Sequence, residues 1–174
     1  NMLAYDTLLI TPPRQGLRIA PLYLARARML LRLRGDRERF VVQLATERSQ
    51  SNHRNQFLHM SRLLRERRDG LTIDDFNVLD RRIDKLILSA AAEPFLEHTL
   101  RPLHTIFRRI GWIYHTQLST QEGLDATINC HMSILMAVAN HHEHQAAQAP
   151  NPLVECGESR FGVLARGVVP PFAD

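Results

Sequence analysis

Three features of the sequence predict an all-α fold, an antiparallel bundle of about six helices preceded by a short β-hairpin. After position 22, apolar residues recur at intervals of three and four over most of the chain. Residues that start and stop helices punctuate this pattern. Strand-prone runs are confined to positions 8–11 and 17–20, with Pro12-Pro13-Arg14-Gln15-Gly16 between them as turn residues. A hairpin of that size is too small to fold alone.

The elements follow in order. Positions 22–49 form a long arginine-rich helix, with Gly35 as an expected break or kink. A second helix over 52–68 ends at Asp69-Gly70. Thr72, with Asp75 three residues on, caps the helix of 76–92. Glu93-Pro94 closes that helix and opens the next, whose apolar stripe is Leu96, Leu100, Leu103, Phe107 and Ile110. Ser119 and Glu122 form a capping-box pattern for a helix that ends in His141, His142 and His144, where histidines suit the C-terminal dipole. Pro150 and Pro152 place the start of the last helix near Leu153 and its stop by Gly167, with 168–174 as a tail.

Size and composition narrow the function classes. With 174 residues, 44% of them hydrophobic, the chain can bury one domain's core. No apolar run reaches the length of a membrane span, and nothing resembles a signal peptide. Cys130 and Cys156 have no metal-binding spacing, so a reduced, cytoplasmic setting is expected. The net charge is +4, and Lys85 is the only lysine among 22 basic side chains, so the cations are planar forks suited to carboxylate and phosphate. Their excess near the N-terminus fits either a solvated helix face or proximity to nucleic acid.

The informative stretch is 76–92. Its buried line reads Phe76, Asp80, Ile83, Asp84, Ile87, Ala91, which puts two carboxylates one turn apart on the apolar face. Downstream, His131 interrupts the line Leu124, Ile128, Leu135, Val138. Buried like charges need a cation or a proton. Two readings remain open. A divalent metal held by Asp80, Asp84 and His131 would supply the cation, or arginines from a neighbouring helix would, with His131 hydrogen-bonded to one carboxylate.

The order of these features resembles the GntR-type family of bacterial transcription regulators, in its FadR-like branch with an FCD-type effector domain. Pro13-Arg14-Gln15-Gly16, followed by Ile19-Ala20-Pro21-Leu22, is similar to the exit of that family's wing. Arg34, Glu38 and Leu44-Ala45 match its first effector-domain helix, and His131-Met132-Ser133-Ile134-Leu135-Met136-Ala137-Val138 matches its H-x-x-I-L-x-A-(I/V) motif. Asp80 matches the Asp of its D-x-x-F-H, while Ile83 and Asp84 replace the Phe and the His; a further metal histidine of the family would fall near Leu153.

The resemblance implies that residues 1–21 are a remnant of the winged helix-turn-helix, its wing and the end of its recognition helix. Residues 22–174 are then the all-helical domain that binds effector and dimerises. It also implies a divalent ion (Zn, Ni or Mn) on Asp80, Asp84 and His131, and a small organic acid as effector. Arg34 is the expected clamp for that acid, with Arg108 and Arg109 in support, because guanidinium–carboxylate pairs are bidentate. Arg14 and Gly16 at the wing tip would contact operator DNA bound by a homodimer. Two rivals stand beside this regulator. One is a metal-dependent hydrolase using the same Asp/Asp/His set to activate water, and the other is a module that only dimerises.

Overall fold

A computed structural model describes residues 9–10, 18–19, 22–118, 121–167 and 172–173, with side chains over 29–118 and 122–164. Among them, six long helices and one short one form the bundle: α1 (Leu24–Arg48), α2 (Ser51–Arg67), α3 (Ile73–Ala91), α4 (Pro94–Gln117), α5 (Gln121–Ala139), α6 (Glu143–Gln148) and α7 (Asn151–Gly167). A 3-10 turn, Arg68–Gly70, joins α2 to α3. Two small ladders accompany the helices. β1 (Leu9–Ile10) pairs antiparallel with β2 (Arg18–Ile19), and β3 (Leu22–Tyr23) pairs parallel with β4 (Phe172–Ala173). Apart from these two-residue strands the described residues are helical, as the periodicity predicts. The hairpin turn, with Arg14 and Gly16, lies outside the described residues. Positions 172–173, expected as tail, instead pair with the strand that leads into α1.

Local chemistry sets the helix boundaries. At the start of α3, the Thr72 hydroxyl accepts from the Asp75 N–H at 3.1 Å and donates to the Asp75 carboxylate at 2.7 Å. Glu93 caps α4 with Pro94 as its first residue. α5 ends in a left-handed residue, His141, whose N–H donates to Val138 O while the His142 N–H donates to Ala137 O. That is a Schellman closure, and it leaves His141, His142 and His144 in solvent, as a helix-end role requires.

Gly35 does not break α1. The helix runs through it, and a Cβ there would sit 3.3 Å from Val154 Cγ1, so the missing side chain lets α7 approach. The interior is filled by side chains such as Phe57, Leu64, Ile83, Ile110, Ile128, Leu135 and Leu164, all below 2% exposed. Each contributes roughly 1.5–3 kcal/mol by leaving water. All three stripes read from the sequence face this interior, and α3 packs against α1 while α5 packs against α2.

Ala92, after α3, has φ 50°, a left-handed conformation in which a Cβ is strained. Ala92→Gly is expected to stabilise the fold by up to about 1 kcal/mol in urea unfolding. Destabilisation would mean that the methyl group packs rather than strains.

Candidate functional site

The interruptions in the apolar stripes meet around one cavity of about 60 Å³ between α1, α3, α4, α5 and α7. α3 contributes Asp80 and Asp84, α5 contributes His131, and α4 contributes His104 and Arg108. Arg34 of α1 and Arg160 of α7 complete its charged lining.

These groups form one continuous polar chain. Arg34 Nε donates to Glu38 Oε1 at 3.2 Å, and the Arg34 guanidinium stands 4.5 Å from the centre of the Phe107 ring. His104 links two carboxylates: its Nδ1 is 3.0 Å from Asp84 Oδ2, and its Nε2 is 3.4 Å from Glu38 Oε1. The second contact is an ion pair without hydrogen-bond geometry. Arg108 then bridges the α3 carboxylates, with Nε donating to Asp80 Oδ2 at 2.6 Å and Nη2 donating to Asp84 Oδ2. His131 Nε2 lies 2.9 Å from Asp80 Oδ1, and its Nδ1 lies 2.8 Å from the Thr127 carbonyl. Edge-on packing of Phe76 against the His131 ring, at 5.1 Å, fixes the imidazole plane.

Burial and partners set the protonation. Burial pushes the Glu38 carboxyl up, but contacts with His104 and the Arg34 charge outweigh it and hold it at about 2. Asp80 is likewise lowered, its burial overcome by His131 and Arg108. Asp84 goes the other way, because burial and the charge of Asp80 raise it against His104 and Arg108. Burial disfavours a charged His104, yet Asp84 and Glu38 raise it to about 10. The directions for Asp84 and His104 oppose each other across one 3.0 Å contact. Two donors converge on Asp84 Oδ2, so we take Asp84 as carboxylate and His104 as imidazolium at neutral pH.

The structure thus gathers Asp80, Asp84 and His131 in one place, but as partners of a guanidinium. Arg108 stands between the two carboxylates, and His131 bonds to Asp80 directly. Such an arrangement does not fit a metal ion, and among the described residues no three His, Cys, Asp or Glu side chains are grouped to hold one. Leu153, where the resemblance places a metal histidine, lines the cavity as an apolar residue. Of the arginines expected at an effector, Arg34 and Arg108 line the cavity; Arg109 is not among its lining residues. Sequence reasoning missed His104 and Arg160. The same signal was present for both, since His104 falls on the line Leu100–Phe107 and Arg160 on the line Leu153, Gly157, Leu164, each an ionisable residue on a buried stripe.

The FCD domain family matches residues 29–151. Among solved structures, E. coli McbR/YncC is similar, with a TM-score of 0.77 at 15% identity over 96% of this chain and 81% of that one. No curated protein sequence matches. A likeness at that identity concerns the fold alone, whereas the family match spans most of the chain.

Because the His104 value rises from 6.5 to about 10 on folding, its stabilisation is complete below pH 6.5 and is lost as pH rises through 10. Urea unfolding of the wild type is expected to weaken over that range by on the order of 3 kcal/mol more than His104→Gln. Parallel pH profiles for the two proteins would contradict the imidazolium.

Proposed function

The chain belongs to the FCD domain family of GntR-type regulators, and on that premise we propose that it senses a small carboxylate metabolite for a ligand-responsive transcription regulator. One observation carries the choice of ligand. Four cations, Arg34, His104, Arg108 and Arg160, line the cavity with two carboxylates, Asp80 and Asp84; Glu38, against Arg34 and His104, adds a third carboxylate outside the lining, and His131 is raised toward the charged form as well. A surplus of positive charge with little water around it favours an anion.

In this reading the cavity works without a metal. Arg108 supplies the charge between Asp80 and Asp84, and Arg34 is the clamp nearest α1. The hydrolase rival needs an ion where Arg108 stands, so the geometry gives it no support. The cavity has room for about four waters, so an effector larger than a few heavy atoms must open it. That opening is the differential contact through which a ligand shifts a conformational equilibrium. α1 carries Arg34 and follows directly on Leu22–Tyr23, so movement of Arg34 is delivered to the N-terminal segment.

Dimerisation is supported by α1 itself. Met29, Leu33 and Phe40 are exposed, and their spacing puts them on one face of the helix. The antiparallel pairing of Leu9–Ile10 with Arg18–Ile19 agrees with a wing, and Arg14 and Gly16 between these strands are proposed to contact operator DNA.

Thermal unfolding with acetate, lactate, succinate and citrate tests the sensor. A true effector at a hundred times its Kd is expected to add about 2.7 kcal/mol, several degrees in Tm for a domain of this size, and Arg34→Gln is expected to lose that gain. A flat response to every carboxylate would contradict this choice of ligand.

A further inference from the structure

Arg160 differs from the other cations of the cavity. Its side chain is buried, with 8% of the residue exposed, yet the partners found for it among the described residues are all neutral. Nη2 donates to the Gly123 carbonyl at 3.3 Å and to the Thr127 hydroxyl, and the guanidinium lies 5.4 Å from the centre of the Tyr114 ring. Arg34 has Glu38 and Arg108 has Asp80 and Asp84, but no carboxylate is placed against Arg160 within the described residues. A buried guanidinium without an anion is a costly arrangement.

His115 lines the same cavity from α4, and its Nε2 is buried without a hydrogen-bond partner. Burial, and then the Arg160 charge, push this imidazole down to about 4, so it is neutral near pH 7. Arg160 and His115 therefore present a lone buried cation and a spare ring nitrogen to one small space. The polar chain running from Arg34 through Asp84 and Asp80 to His131 ends at Thr127, whose hydroxyl accepts from Arg160. Arg160 is the terminus of that chain, and it ends on no negative charge.

We infer that Arg160 and His115 form an anion subsite in the cavity, one that takes the carboxylate or phosphate end of a small effector. The subsite rests on the sensor reading above and adds to it the place where the anionic end lands. An incoming oxyanion supplies the missing partner of Arg160, and it accepts a hydrogen bond from His115 Nε2 once that nitrogen is protonated. Volume agrees with this assignment, since a cavity of about 60 Å³ holds about four waters and therefore an acetate- or phosphate-sized group.

NMR of the full chain with labelled histidine reads the subsite directly. Sodium acetate, sodium succinate and sodium phosphate are titrated against sodium chloride at matched ionic strength. A saturable movement of the His115 ring signals with at least one of the three salts is expected, and its acid midpoint should rise from about 4 by at least about one unit. A response to acetate or succinate alone identifies a carboxylate end, and one to phosphate alone identifies a phosphate end. Arg160→Gln is expected to weaken the responding salt at least about tenfold. Arg160→Lys, which keeps the charge, should retain part of the response and guards against a variant that fails to fold. Wild-type His115 signals that stay still with all three salts would overturn the subsite. So would stabilisation by a carboxylate that persists in Arg160→Gln with His115 unmoved, and in that case the sensor reading would survive with its anion placed elsewhere.

Discussion

Two carboxylates one helical turn apart on the buried face of α3 repel each other, and everything around the cavity answers that repulsion. At 4 Å and an effective dielectric near 20, two like charges cost about 4 kcal/mol, before the desolvation of each. The Arg108 guanidinium relieves both terms with one planar group, since its Nε serves Asp80 and its Nη2 serves Asp84. A lysine could not do so as well, because its ammonium is a point charge without a fork. This single side chain thereby ties α4 to both carboxylates of α3.

The remaining polar groups extend that arrangement across the bundle. His104 carries positive charge from Asp84 to Glu38 on α1, and His131 carries it from Asp80 to α5. Thr127 hands the chain to Arg160 on α7. Five helices are thus tied by hydrogen bonds and ion pairs inside a mainly apolar core. Half-satisfied buried networks are poor stabilisers, and this one is left unbalanced at Arg160. In the proposed sensor, that imbalance is the place left for a ligand.

The periodicity made the helices legible. Thr72, Glu93 and the proline-bounded start of α7 gave their boundaries, because caps act locally and sequence shows them. Gly35 misled, since a glycine in a helical pattern signals a break as readily as a close helix contact, and only the position of Val154 decides. At the site, Asp80, Asp84 and His131 stood out as ionisable residues on apolar stripes, and they do converge. Of the two expected compensators, a metal or arginines with His131 on one carboxylate, the structure has the second, and the sequence did not decide between them. A metal and a guanidinium satisfy two carboxylates by the same electrostatics, and the choice depends on which face of α4 meets α3. Arg108 and Arg109 are neighbours in sequence but project in different directions, so one residue of helical phase separates the arginine that lines the cavity from the one that does not. Arg160 sits two turns after Leu153 on the same stripe, and a long aliphatic stem lets an arginine share an apolar line without standing out.

A guanidinium stands where this kind of site would otherwise call for a metal. Elemental analysis of the protein purified without chelator, with and without prior incubation in zinc, nickel and manganese salts followed by gel filtration, separates the two. Only trace metal in every sample is the expected result, because Arg108, with His104 and His131, already compensates Asp80 and Asp84. One divalent ion per chain, lost on substituting Asp80, would contradict the claim and return the cavity to metal chemistry.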